Sequence, residues 1–186
     1  TTGTVGGVPL NFPTQIACRL MTTKGNVIEE FQSFIKGAIT LSDWAKENCP
    51  HVSIERCNTE GIPFCSVISK MVSMCADFDC TLVAHNLEYD WNTVLVPLVH
   101  KYDLEHTTDF IKLNSYPRVC TMLTDMHNMS YYNRNYKKKC GPKLTKLANA
   151  CGIAIDSTSL HDAFYDVKLT SECLAFLLNK PTVVTR

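Results

Sequence analysis

Two strand-like runs, residues 15–21 and 27–35, flank the turn signal Lys24-Gly25-Asn26, and this pattern predicts a β-hairpin near the start of the chain. A hairpin commits the chain to a sheet with one side to cover. The segments that follow alternate between helical and strand patterns. Residues 42–48 form a short helix with Ser42 as its cap, and 49–63 are irregular. A helix over 63–76 begins at Pro63 and sets Val67, Ile68, Met71, Val72 and Cys75 on one face. Residues 81–84 are a short apolar strand, followed by a helix over 86–102 that Pro97 kinks. Residues 107–116 carry no clear pattern, 120–126 are helical, and 131–139 are a basic, aromatic loop. A helix over 142–151 is stopped by Gly152. The last helix, 160–178, has Ala163, Val167, Thr170, Leu174 and Leu177 as its inner stripe, and the tail after Lys180 frays. A hairpin followed by such alternation implies an α/β fold, a mixed sheet flanked by helices.

The 186 residues suit one domain over 1–186, and 45% hydrophobic with 19% charged residues is globular composition. Lys plus Arg and Asp plus Glu number 18 each, so net charge points to no class of partner. Its distribution is more telling. Residues 127–155 contain no acid but hold Arg134, Lys137, Lys138, Lys139, Lys143 and Lys146, a patch compatible with a phosphate-bearing partner. No apolar run approaches the roughly 20 residues of a membrane span. The ten cysteines are scattered with no C-x-x-C pair, which predicts thiols in a reducing intracellular compartment, cytoplasm or nucleus, rather than a disulfide framework. Cys49, His51, Cys57 and Cys65 cluster loosely, but their spacing fits no common zinc pattern.

Two segments carry residues suited to chemistry. Ala84-His85-Asn86-Leu87-Glu88-Tyr89-Asp90 places Asp90 at the start of a helix that follows a buried strand, and strand ends are where α/β folds put their sites. His161-Asp162-Ala163-Phe164-Tyr165-Asp166 places a histidine just over one helical turn before Asp166. Carboxylates bind hard divalent cations, and a histidine beside them can take a proton from an attacking water. Taken singly, each residue has a plainer reading: an aspartate in a first turn favours the helix dipole, and a histidine at a helix start caps it or faces solvent.

Together and in this order, His85-Asn86-x-x-Tyr89-Asp90 and His161-x-x-x-x-Asp166 resemble the second and third motifs of the DEDDh 3′–5′ exonuclease family. Val27-Ile28-Glu29-Glu30-Phe31 looks like that family's second hairpin strand. Val119-Cys120-Thr121-Met122-Leu123 stands where its D-T-L segment falls, with Cys120 replacing the aspartate. Lys143-Leu144-x-x-Leu147-Ala148-x-x-Cys151-Gly152-Ile153 is similar to its helix before the third motif. The resemblance covers nearly the whole chain.

It implies a ribonuclease-H-like sheet and removal of nucleoside monophosphates from the 3′ end of DNA or RNA with two Mg²⁺ or Mn²⁺ ions. By the same resemblance, Asp90 and Asp166 are metal ligands and His161 is the general base. Thr1 and Thr2 flank the 3′ end of the substrate, and Asn86 lies close by. The partner implied is a single-stranded or 3′-ended nucleic acid, with a polymerase or other nucleic-acid-processing assembly as a further one. The family's first strand, with its D-x-E, is followed by Thr-Thr-Gly, and this sequence starts at Thr1-Thr2-Gly3. The expectation is therefore that the first strand and its two acids precede Thr1. The alternative is a catalytically inactive nucleic-acid-binding or scaffolding relative. In the basic stretch Tyr131, Tyr132, Arg134, Tyr136, Lys137, Lys138 and Lys139, rings can stack on bases while cations follow phosphates; the plainer reading is a solubilising loop.

Overall fold

A computed structural model describes residues 4–5, 8–9, 12–38, 40–124, 128–135 and 137–180. Two-residue strands β1 (Thr4–Val5) and β2 (Val8–Pro9) pair antiparallel. The predicted hairpin follows as β3 (Gln15–Met21) and β4 (Val27–Phe34), antiparallel from Gln15 opposite Phe34 to Met21 opposite Val27, with an irregularity after Leu20. Gly25 turns it at φ +89°, where a side chain would be strained, and an added Cβ would come within 2.9 Å of the Ala175 Cβ.

Ser42 caps α1 (Asp43–Asn48), its side chain accepting from the Ala45 N–H. The stretch expected to be irregular contains α2 (Ile54–Thr59), capped by Ser53, whose hydroxyl accepts from the Arg56 N–H. Its burial of Cys57 holds that helix to the core. Helix α3 (Phe64–Met74) starts after Pro63 and buries Phe64, Val67 and Ile68.

Strand β5 (Leu82–Ala84) lies parallel to β6 (Arg118–Cys120), with Ala84 opposite Cys120. Residues 120–126 had read as helix. Instead Cys120 ends a strand, 121–123 form a turn, and 125–127 fall outside the described residues. A three-residue strand is too short to show its period, which is why an apolar run there reads equally as helix.

The segment after β5 changes helical type just before Pro97, which lies in the first turn of its second part. A π-helix over Tyr89–Leu95 leads into α4 (Val96–Lys101), and the Val96 N–H reaches back to the Trp91 carbonyl. The wider turn accommodates a ring that would clash with the preceding turn of an α-helix. Helix α5 (Thr108–Ser115), capped by the Thr107 hydroxyl, fills the stretch that had no sequence pattern.

The basic stretch expected to be a loop is a small antiparallel hairpin, β7 (Tyr131–Asn133) with β8 (Lys138–Cys140). Helix α6 (Leu144–Ala150) and the 17-residue α7 (Ala163–Asn179) close the described fold. The inner face of α7 keeps Leu177 from the expected stripe and otherwise differs from it. Leu169, Cys173 and Leu177 pack on Leu147, Ala148 and Cys151, while Ser171 accepts from Arg19 of β3 at 2.8 Å. The helix is thus held between α6 and the first hairpin, and needs two inner faces rather than one.

The larger apolar cluster joins Ile35, Val67, Ile68, Val99 and Leu113 beneath the helices; the smaller one lies between α6 and α7. The protein is a mixed α/β fold with small sheets. No described helix is long and apolar enough to cross a membrane.

Candidate carboxylate site

Asp90 reaches its position through three local devices. The β5 strand ends at Ala84, and Asn86 then turns the chain in the left-handed region, at φ +71°. Asparagine tolerates that conformation better than most residues. The Asn86 carbonyl accepts from the Tyr89 N–H at 2.8 Å, which starts the helical path. Trp91 is buried, stacked on Phe110 at 6.5 Å between centroids and covered by the Arg118 guanidinium at 4.3 Å. With Trp91 fixed inward, its neighbour Asp90 is left on the outer side.

His85 ties this segment to the next elements. Its Nδ1 is 3.0 Å from the Thr121 hydroxyl and its Nε2 3.0 Å from the Pro142 carbonyl. A carbonyl only accepts, so Nε2 carries a proton. His85 is therefore a brace between β5, the turn after β6 and the base of the β7–β8 hairpin.

The second segment is organised by Asp162, to which the sequence reading gave no role. It is the N-cap of α7, its carboxylate accepting from the Phe164 and Tyr165 N–H groups, each at 3.0 Å. Its other oxygen accepts from Gln15 Nε2 at 2.9 Å and faces His51 Nε2 at 3.4 Å. Gln15 Oε1 in turn lies 3.2 Å from His51 Nε2 and accepts from the Ala163 N–H at 3.3 Å. One aspartate thus joins α7 to the start of the first hairpin. An aspartate directly before an amphipathic run was the signal available in the sequence.

His161 lies before this cap, not within the helix. The expected helix began at 160; the observed one begins at Ala163 because Asp162 takes the capping position. His161 is exposed, at φ +70°, with its ring edge-on to Trp44 at 5.1 Å. Its carbonyl accepts from the Cys49 thiol at 3.8 Å, and its backbone acts to lower the Asp166 pKa.

The two carboxylates singled out by sequence are brought together. Although Asp90 keeps an exposed surface, the protein around its carboxyl withdraws solvent and raises its pKa to about 6. Its own N–H opposes that rise, and the like charge of Asp166 adds to it. Asp166 is also raised, first by desolvation, while His161 works in the lowering direction and Asp162 in the raising one. Asp90, Asp166 and His161 therefore form one electrostatic neighbourhood. Among the described residues, no group of three or more His, Cys, Asp or Glu side chains converges as a metal site. That covers Cys49, His51, Cys57 and Cys65: Cys57 is buried with its thiol on the Thr14 carbonyl, Cys65 is exposed, and His51 is engaged with Gln15 and Asp162.

Comparison with family models, curated proteins and solved structures returns no match. The site stands on its own residues. Thr1 and Thr2 lie outside the described residues, and Asn86 is an exposed turn residue beside Asp90. In the basic segment Arg134, Lys137 and Lys139 are exposed, while the side chain of Lys138 is outside the described set. A shallow concavity of about 440 Å³ flanks the start of α7, lined by His51, Thr158, Ser159, Asp162 and Lys168 among others. Asp90 and Asp166 do not line it.

Proposed function

We propose that this protein is a metal-dependent 3′–5′ exonuclease of the DEDDh kind, built on a ribonuclease-H-like sheet and releasing nucleoside monophosphates from DNA or RNA. The observation that carries this reading is that Asp166, from a distant segment, adds its charge to the desolvation that raises Asp90 just past the end of a strand, while Asp166 is itself raised first by desolvation. Crowded carboxylates without a cation are unfavourable. Their hard oxygen donors fit Mg²⁺ or Mn²⁺, which would lower both pKa values. Two such ions supply charge neutralisation at the phosphodiester and a more acidic attacking water.

This chain's residues then have distinct tasks. Asp90 and Asp166 hold the ions. His161, exposed beside Asp166, takes a proton from water. Asp162 and Gln15 fix the start of α7, so that Asp166 and His161 keep their relative placement. Asn86, exposed in the turn before Asp90, contacts the substrate's 3′ end. The partner is a 3′-ended single strand, alone or delivered by a polymerase-type assembly. The ten cysteines are thiols, in keeping with a reducing compartment such as cytoplasm or nucleus.

A second reading, a nucleic-acid-binding relative without catalysis, is favoured by one observation: no three metal-ligating side chains converge among the described residues. Full-length protein incubated with Mg²⁺ and a 3′-labelled single strand separates the two. The exonuclease releases labelled monophosphate, and Asp166→Asn abolishes the release; a strand that stays intact with the unaltered protein favours the binder.

A further inference from the structure

The hairpin β7–β8 leaves the rings on its first strand exposed. Tyr131 and Tyr132 are consecutive strand residues, so their rings point to opposite faces, yet they are 55% and 64% exposed. A hairpin packed on a core would bury one of the two. Opposite Tyr132 stands Lys139, and opposite Tyr131 stands Cys140, so one face pairs a ring with a cation. Arg134 and Lys137 occupy the tip, and Lys143 and Lys146 continue the charge just past its base, all four exposed. No acid offsets them between residues 127 and 155.

The chain just after Cys140, the partner of Tyr131, is held firmly. A Cβ on Gly141 would fall 1.7 Å from the Met122 carbonyl oxygen, so the chain passes directly against the turn that follows β6. Pro142, the next residue, is buried and receives the His85 brace. The arm is therefore projected from the same strand ends that lead into Asp90.

We propose that β7–β8 is an arm that grips single-stranded nucleic acid, with Tyr131 and Tyr132 stacking on bases and Lys139, Lys137 and Arg134 following the backbone. Exposed rings stack on unpaired base faces, which a duplex hides, and exposed cations in a stretch of sequence that contains no acid favour a polyanion over an apolar or cationic partner. Assigning this strand as the enzyme's substrate rests on the exonuclease reading; the grip itself does not.

Fluorescence anisotropy of full-length protein with labelled 15-mers of dT and of U, in EDTA, tests the arm without hydrolysis. Replacing both tyrosines by alanine weakens binding of at least one oligomer by tenfold or more, replacing both by phenylalanine preserves it, and Lys139→Gln reduces the salt dependence by about one ion. A duplex of the same length binds more weakly and without tyrosine dependence. Equal binding by the alanine variant, equal loss in the phenylalanine variant, or tyrosine-dependent duplex binding overturns the proposal. Thermal melting of each variant verifies that the fold is intact, as expected for exposed rings. Protein that binds in this way but digests nothing with Mg²⁺ leaves the arm standing and removes the exonuclease reading; digestion with tyrosine-independent binding does the reverse.

Discussion

The charge of Asp166 bears on Asp90, adding to the desolvation that is the larger cause of its rise to about pKa 6. The two residues belong to segments with no sequence proximity, one entering a π-helix after β5 and the other in the first turns of α7. Neither element pays for this closeness with a buried counter-ion in the described residues.

A pH dependence follows from Asp90. Its ordinary pKa is 3.8, so between about pH 4 and 6 the folded state holds more protons than the unfolded one. Stability therefore falls as pH rises through that window, and the penalty is complete above it. Asp90→Asn removes the penalty. At pH 7 without divalent metal it raises stability by up to about 1 kcal/mol, a figure kept small because solvent screens the exposed face. Chemical denaturation at pH 4.5 and pH 7 checks this; the gain is larger at pH 7.

Asp162 is predicted to matter more to folding than its surface position suggests. Asp162→Ala removes the cap of α7 and strands Gln15 and His51, costing about 1–2 kcal/mol and lowering the melting temperature by roughly 2–8 °C. Asp162→Asn keeps most of the cap and loses less. Thermal melts of the two variants distinguish capping from simple loss of charge.

The hairpin and the α7 helix were legible because turn chemistry and an amphipathic period are local properties. The same holds for the Ser42 cap, whereas Asp90 and Asp166 stood out only through the order of the two motifs, their local positions alone allowing a plainer reading. What escaped was short or long-range. Strand β6 is too brief to show alternation, so 120–126 read as helix. Helix α2 is a single capped turn and a half in a stretch interrupted by Pro50 and Gly61. The Gln15–Asp162–His51 network joins residues far apart in the chain: the capping role of Asp162 had a local signal, but its links to Gln15 and His51 had none. The π-helical turn before Pro97, with Trp91 buried in it, likewise has no local pattern to announce it.

The packing of α6 against α7 gives a control with no bearing on chemistry. Leu147 is fully buried between them, and Leu147→Ala is predicted to cost roughly 2–5 kcal/mol. Urea denaturation checks the value. At a temperature where the variant stays folded, binding of single strands by the β7–β8 arm is unchanged.

Gly141 is predicted to admit no side chain. Gly141→Ala places a methyl against the Met122 backbone carbonyl, which cannot move aside as a flexible side chain would. The cost is about 1–3 kcal/mol, read as a lower denaturation midpoint.

The central claim, that Asp90, Asp166 and His161 form a hydrolytic site for 3′ ends, is tested most directly by product analysis. Full-length protein is given Mg²⁺ and single strands labelled at the 3′ or the 5′ end. The account predicts immediate release of 3′-labelled nucleoside monophosphate, stepwise shortening of the 5′-labelled strand, and loss of both by at least a hundredfold in His161→Ala. Undiminished digestion by folded His161→Ala would contradict the role given to that residue, and the absence of digestion by the unaltered protein would contradict the site as a whole.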